Sequence, residues 1–171
     1  KQIALAIGTD SIPIWLGAAG CVTKRIRAEI NENAKTLALD DEFSELNHNH
    51  AVSYEGKPEL LKHLTVILIE DTQDREPIKL RMAITQKEML EGKVKKVLKL
   101  VAVGKTRLTR LIATAYIGDF VSIYLAILHN IDPSPVRSIE TLKKQLHSKL
   151  GLVAKLENEL TNILEKENTS V

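Results

Sequence analysis

A single cysteine, Cys21, stands in the 171-residue chain, so no intramolecular disulfide and no thiolate zinc site can form. That cysteine usage suits a reducing cytoplasm. An excess of one charge is also missing. The 24 basic residues are balanced by 22 acidic ones, leaving a formal charge of +2 that is spread evenly along the chain. Binding to nucleic acid or to an anionic membrane by bulk charge is therefore not expected. No apolar run reaches the roughly 18 residues that span a bilayer. The opening Lys1-Gln2-Ile3-Ala4 lacks the basic, apolar and cleavage segments of a signal peptide. A soluble, cytoplasmic protein with no membrane partner is the expectation. Fixed-period repeats and low-complexity segments are absent. The chain begins at Lys1 rather than methionine, which suits a piece of a longer polypeptide or a processed one.

What is present fits one globular domain with a full core: 44% hydrophobic and 27% charged residues. Clusters of Val, Ile and Leu alternate with stretches of helical periodicity, the pattern of an α/β domain with a mainly parallel sheet. Strands are predicted at Ile12 to Leu16, Thr36 to Leu39, Leu64 to Ile69 and Val97 to Val103. The first is closed by Gly17-Ala18-Ala19-Gly20 and followed by an amphipathic helix with Val22, Ile26 and Ile30 on one face. Asp40 to Gly56 reads as a polar loop rich in Asn and His, a place where function concentrates. Helices are predicted over Ile78 to Leu90, Lys105 to His129 and Val136 to Leu150; the second is apolar around most of its circumference and expected to lie largely inside. Gly151 separates residues 1–150, read as one domain, from a C-terminal amphipathic helix and tail at 151–171. The leucines of that last helix either pack on the body or meet a partner helix.

Several features bear on chemistry. The triplet His48-Asn49-His50 spells a nuclease motif, but His63, His129 and His147 are scattered over predicted strand and helix segments and supply no ligand set. The basic run from Lys93 to Arg110 has no interleaved aromatic residue to stack on bases and reads as a solvated face. Gly17-Ala18-Ala19-Gly20 follows a strand, where phosphate loops sit, yet lacks the Lys-Ser/Thr pair of a P-loop. Glu32, set between Asn31 and Asn33 at a helix end, can be held by amide hydrogen bonds and aimed into a cleft as a general base. By composition alone, the plainer reading is that both asparagines cap the helix and Glu32 is a solvent-exposed charge.

Four blocks in order resemble the C-terminal half of the bifunctional phosphoglucose/phosphomannose isomerases: Glu29-Ile30-Asn31-Glu32-Asn33-Ala34-Lys35, Glu45-Leu46-Asn47-His48-Asn49, Gly118 to Ala126, and Asp132-Pro133-Ser134-Pro135-Val136 with Leu142-Lys143. The resemblance runs from about residue 11 to residue 147. It implies a three-layer SIS (sugar isomerase) domain with about five parallel strands flanked by helices, and an N-terminal SIS domain in the same polypeptide. It further implies a hexose 6-phosphate substrate, a homodimer, and neither cofactor nor metal.

Carried over by position, the resemblance makes Glu32 the catalytic base and His48 a histidine reaching into the neighbouring subunit's site. Lys143 matches the family's active-site lysine, with Lys144 adjacent. Asn31, Asn33 and Asn47 are the expected substrate-binding residues. The reaction implied is interconversion of glucose 6-phosphate or mannose 6-phosphate with fructose 6-phosphate through a cis-enediol. The fragment alone is expected to be inactive. A non-catalytic, sugar-phosphate-binding regulatory SIS domain is the alternative. One departure is visible: His50 stands where the family commonly has an acidic residue.

Overall fold

The computed structural model describes residues 1–168. The chain divides into two compact units, one ending at Ser134 and one starting at Pro135. In the first, the parallel strands β1 (Ile12–Gly17), β2 (Leu39–Glu42), β3 (Leu64–Glu70) and β4 (Lys96–Val101) form a sheet of order β2-β1-β3-β4. Helices α1 (Gln2–Ile7), α2 (Gly20–Asn33), α3 (Pro58–Leu61), α4 (Glu76–Ile84) and α5 (Arg107–Leu128) complete this unit. The second unit carries α6 (Arg137–Leu150) and α7 (Leu152–Asn168), separated by Gly151 in a left-handed conformation at φ 57°.

Side chains alternate across the two central strands, and that alternation builds two cores. Trp15, Ile67 and Ile69 face Val22, Ile26 and Ile30 of α2 and Val121 and Leu125 of α5. Ile14, Leu16, Val66 and Leu68 face Leu46, Tyr54, Met82 and Leu90 on the other side. Burial on both faces is why β1 and β3 read as continuous apolar runs. The result is the expected three-layer α/β sandwich.

Several expectations are corrected. The described residues hold four strands rather than about five. After α5 the chain meets Pro133 and Pro135, which have no backbone N–H to give a ladder, and continues as helix. The second strand lies at Leu39–Glu42, not Thr36 to Leu39. As an edge strand it pairs only with β1, from Ile14 opposite Leu39 to Gly17 opposite Glu42, so its acidic residues reach water. The Asp40 to Gly56 segment is not a plain loop: Glu45–Asn47 and His50–Glu55 are 3₁₀ turns that bury Leu46, Ala51 and Tyr54. The helix expected over Ile78 to Leu90 is α4 followed by a π turn at Thr85–Leu90.

The long helix is only half inside. α5 buries Thr114, Gly118, Val121 and Leu125 but exposes Leu108, Ile112, Tyr116 and Ile127. By length and composition it is apolar enough to cross a membrane, although Asp119 interrupts its apolar run. Its packing against α2 and α1 accounts for the apolar residues on its buried side.

Candidate functional site

In an open parallel sheet every strand ends at the same edge, and ligands bind there, where the strand order reverses. Here that point lies between β1 and β3. A cavity of about 550 Å³ occupies it. β1 leaves the sheet at Gly17, where a β-carbon would fit only tightly, 3.1 Å from Ile69 Cβ and 3.3 Å from Thr23 Cγ2. Ala18 and Ala19 then lead into α2 and floor the cavity together with Ile69 and Leu111. The wall is charged, built from Arg75 and Arg81 around α4, Arg107 and Arg110 at the start of α5, and Asp71 and Asp74 after β3.

Arg110 anchors this wall. Its Nε donates to Asp71 Oδ2 at 2.6 Å, with only 9% of the arginine side chain and 18% of the aspartate side chain exposed. Burial raises the Asp71 pKa. The hydrogen bond from Arg110, the backbone N–H of Gln73 and the arginine charges outweigh it and hold the carboxyl below its usual range. Asp74 has no such partner, and burial pushes its pKa up. Thr106 caps α5 by accepting from the Thr109 backbone N–H, while the Thr109 side chain accepts from the Thr106 backbone in return. These arginines are the site residues that sequence reasoning missed. Arg107 and Arg110 belong to the basic run read as a solvated face, and they line the cavity instead. Other members of that run do pair at the surface, Lys95 with Asp10 and Lys99 with Glu70.

Glu32 and His48 lie elsewhere, on elements that cover opposite faces of the sheet. α2 starts where β1 ends and runs back for 14 residues, about 20 Å, so Glu32 stands near the edge where the strands begin. His48 follows Leu46, which packs on the other face of the sheet, and Asn47, whose side chain reaches Thr85 past the end of α4. Both side chains are exposed, neither lines the cavity, and among the described residues neither makes a side-chain hydrogen bond or ion pair within the chain.

The flanking amides do not hold Glu32. Asn31 Oδ1 accepts from the Ala38 backbone N–H at 3.0 Å, while Asn33 Nδ2 donates to Ser122 Oγ at 2.8 Å and to Glu29 Oε2 at 3.1 Å. They tie the end of α2 to the following segment and to α5. Lys35 Nζ donates to the Glu32 backbone carbonyl at 2.6 Å and to the Pro133 carbonyl at 3.1 Å, closing the same edge. Asn47 is likewise engaged, donating to Thr85 Oγ1 at 2.8 Å. Lys143 stands on α6, in the second unit, and is exposed.

His50 has a structural partner on each side. Its Nδ1 lies 3.0 Å from Asp41 Oδ2, its Nε2 lies 3.2 Å from the Tyr54 hydroxyl, and its ring stacks on Tyr54 at 5.4 Å. Tyr54 is buried, and that burial drives its pKa upward. The histidine at this position thus braces the turn that presents His48.

An open parallel sheet of this order, covered by helices on both faces, defines a doubly wound α/β domain. The fold is shared with a crystal structure of a glucose-6-phosphate isomerase like protein from Thermus thermophilus, at a TM-score of 0.64 and 24% identity over 77% of this chain and 44% of that one. The chain belongs to the family described as the bacterial phospho-glucose isomerase C-terminal SIS domain, whose pattern matches residues 1–146. It is 37% identical over 149 residues to a bifunctional phosphoglucose/phosphomannose isomerase of Caldicellulosiruptor bescii, covering 85% of this chain and 43% of that protein. A protein of the same name from Aquifex aeolicus is 33% identical over 125 residues, covering 73% and 38%. The chain therefore spans about two fifths of the length of these relatives.

Proposed function

We propose that this chain is the C-terminal domain of an aldose–ketose isomerase that interconverts glucose 6-phosphate and mannose 6-phosphate with fructose 6-phosphate. Family membership supports the reaction class. The observation that carries the assignment of residues is that Glu32 and His48 are both exposed, both uncommitted among the described residues, and on elements that cover opposite faces of one sheet. A base and a ring-opening histidine arranged in that way serve two different sites, each completed by another domain or subunit.

The chemistry suits these groups. In the open-chain aldose, the Glu32 carboxylate takes the proton from the carbon beside the carbonyl, and the electron pair of that C–H bond forms the C=C of a cis-enediol as the carbonyl oxygen gains a proton. Glu32 then returns its proton to the former carbonyl carbon while the neighbouring hydroxyl loses one to become the ketone. One carboxylate lying over both carbons performs both transfers. Glucose and mannose 6-phosphates differ only at the carbon that becomes planar, so both lead to the same enediol. His48 protonates the ring oxygen and accepts the anomeric hydroxyl proton to open the cyclic sugar, with Lys143 assisting. The scheme consists of proton transfers alone and works in a homodimer.

A coupled assay of fructose 6-phosphate formation, run on the two-domain protein with each aldose, tests the proposal. Glu32→Gln is expected to lower kcat by about 10³-fold with both substrates, while circular dichroism stays unchanged. Near-normal turnover would remove Glu32 from the mechanism.

A further inference from the structure

We propose that α6 and α7 pair antiparallel with the same two helices of a second copy of this chain, through an interface independent of the mechanism above. From Ile139 to Ile163, seven of the eight positions met at alternating spacings of three and four residues are Ile, Leu or Val, which is the a/d seam of a coiled coil. The eighth is Lys149. The seven apolar side chains are 39–58% exposed, so the seam stands in water along its whole length. The two helices do not cover each other, because only Gly151 separates them and antiparallel neighbours in one chain need a connection of about 2–5 residues. From Lys149 onward the seam lies past residue 146, where the match to the family pattern ends, so the family fold does not account for it.

The seam is its own complement about Gly151. In an antiparallel pair the a residues of one helix face the d residues of the other. Ile139 then meets Ile163 of the second copy, Leu142 meets Leu160, Leu146 meets Leu156 and Lys149 meets Val153, each pair lying equally far from Gly151 on its two sides. A two-fold axis at Gly151 satisfies every layer twice, as an isologous contact requires. The left-handed break at Gly151 falls on that axis, so both copies bend at the same point and their arms stay matched.

Charge selects the direction. α6 carries Arg137, Lys143, Lys144 and Lys149 against Glu140, whereas α7 as far as residue 164 carries Glu157 and Glu159 against Lys155. Antiparallel pairing lays the basic helix on the acidic one; parallel pairing would lay α6 on α6 with like charges together. Lys149, beside the axis, costs stability as the one polar seam position and fixes the register. Lys143 flanks the seam rather than filling it.

Sedimentation equilibrium of the 171-residue chain at micromolar concentration tests this interface. The chain is expected to be a dimer. Leu146→Glu and Leu156→Glu, each placing an unpaired charge in the seam, should weaken association at least about 10-fold. Lys149→Leu, which completes the seam, should tighten it about 10-fold. Orientation is read from oxidative cross-linking in a Cys21→Ser background. Leu152→Cys should join the two copies, because position 152 lies beside its own counterpart at the axis. Leu156→Cys should not, because the two positions are about 15 Å apart along the helices. A monomeric chain, a dimer unaffected by either glutamate, or a cross-link at position 156 in place of position 152 would each overturn the proposal.

Discussion

Gly118 of α5 lies against Ile26 of α2 so closely that a β-carbon on it would stand 2.3 Å from Ile26 Cγ1. This contact sets the distance between the two helices that cover one face of the sheet, and α2 is the helix whose last turn carries Glu32. In an exposed helix interior, replacing glycine by alanine stabilises by about 1 kcal/mol. Here the sign reverses. Gly118→Ala is expected to destabilise by about 1–3 kcal/mol through overpacking, measured by urea unfolding with Trp15 as the probe. Combined with Ile26→Ala it should cost less than the sum of the two single losses, because the two substitutions share one contact.

His48 is expected to act on ring forms. His48→Ala should reduce turnover of cyclic glucose 6-phosphate more than turnover of an open-chain analogue. Equal losses with both substrates would exclude ring opening as its task.

The opposite positions of Glu32 and His48 predict complementation between defective subunits. Mixing Glu32→Gln and His48→Ala proteins and allowing the subunits to exchange should produce hybrids with one intact site. With random pairing the mixture should regain about a quarter of wild-type activity. If both residues served the same chain's site, the mixture would be as inactive as its components.

Asp71→Asn would leave the buried Arg110 guanidinium without its counter-charge, at a cost of about 3 kcal/mol near neutral pH. The carboxyl's pKa is lowered in the folded state, so its contribution is complete above the unfolded value of about 4 and is lost as pH falls through the folded value. Wild type and variant should therefore differ most at neutral pH and converge in strong acid. Thermal unfolding from about pH 2 to neutrality measures this difference.

The legible parts of this fold were those whose physics is local. β1 and β3 are buried on both faces, so Ile12 to Leu16 and Leu64 to Ile69 stand out as apolar runs, and α2 shows itself through Val22, Ile26 and Ile30 on one face. β2 was misplaced because an edge strand can be written Leu-Asp-Asp-Glu without exposing a pattern. Composition alone places α5 inside, because it cannot tell which flank of an apolar helix finds a partner. At the site, the ordered blocks around Glu32 and His48 were visible, but the true partners of Asn31, Asn33 and Asn47 are Ala38, Ser122 and Thr85. The charged wall of the cavity escaped notice for a related reason. Arg75 and Arg81 come from one connection and Arg107 and Arg110 from another, and only the parallel sheet brings both to the same rim.

Setting a proton-moving carboxylate and a ring-opening imidazole on opposite faces of one sheet makes turnover a collective property under the proposed scheme. Substrate held between two chains acts as a tether and shifts association toward the joined form by mass action. Serial dilution should then erode specific activity, and saturating hexose phosphate should postpone that decline.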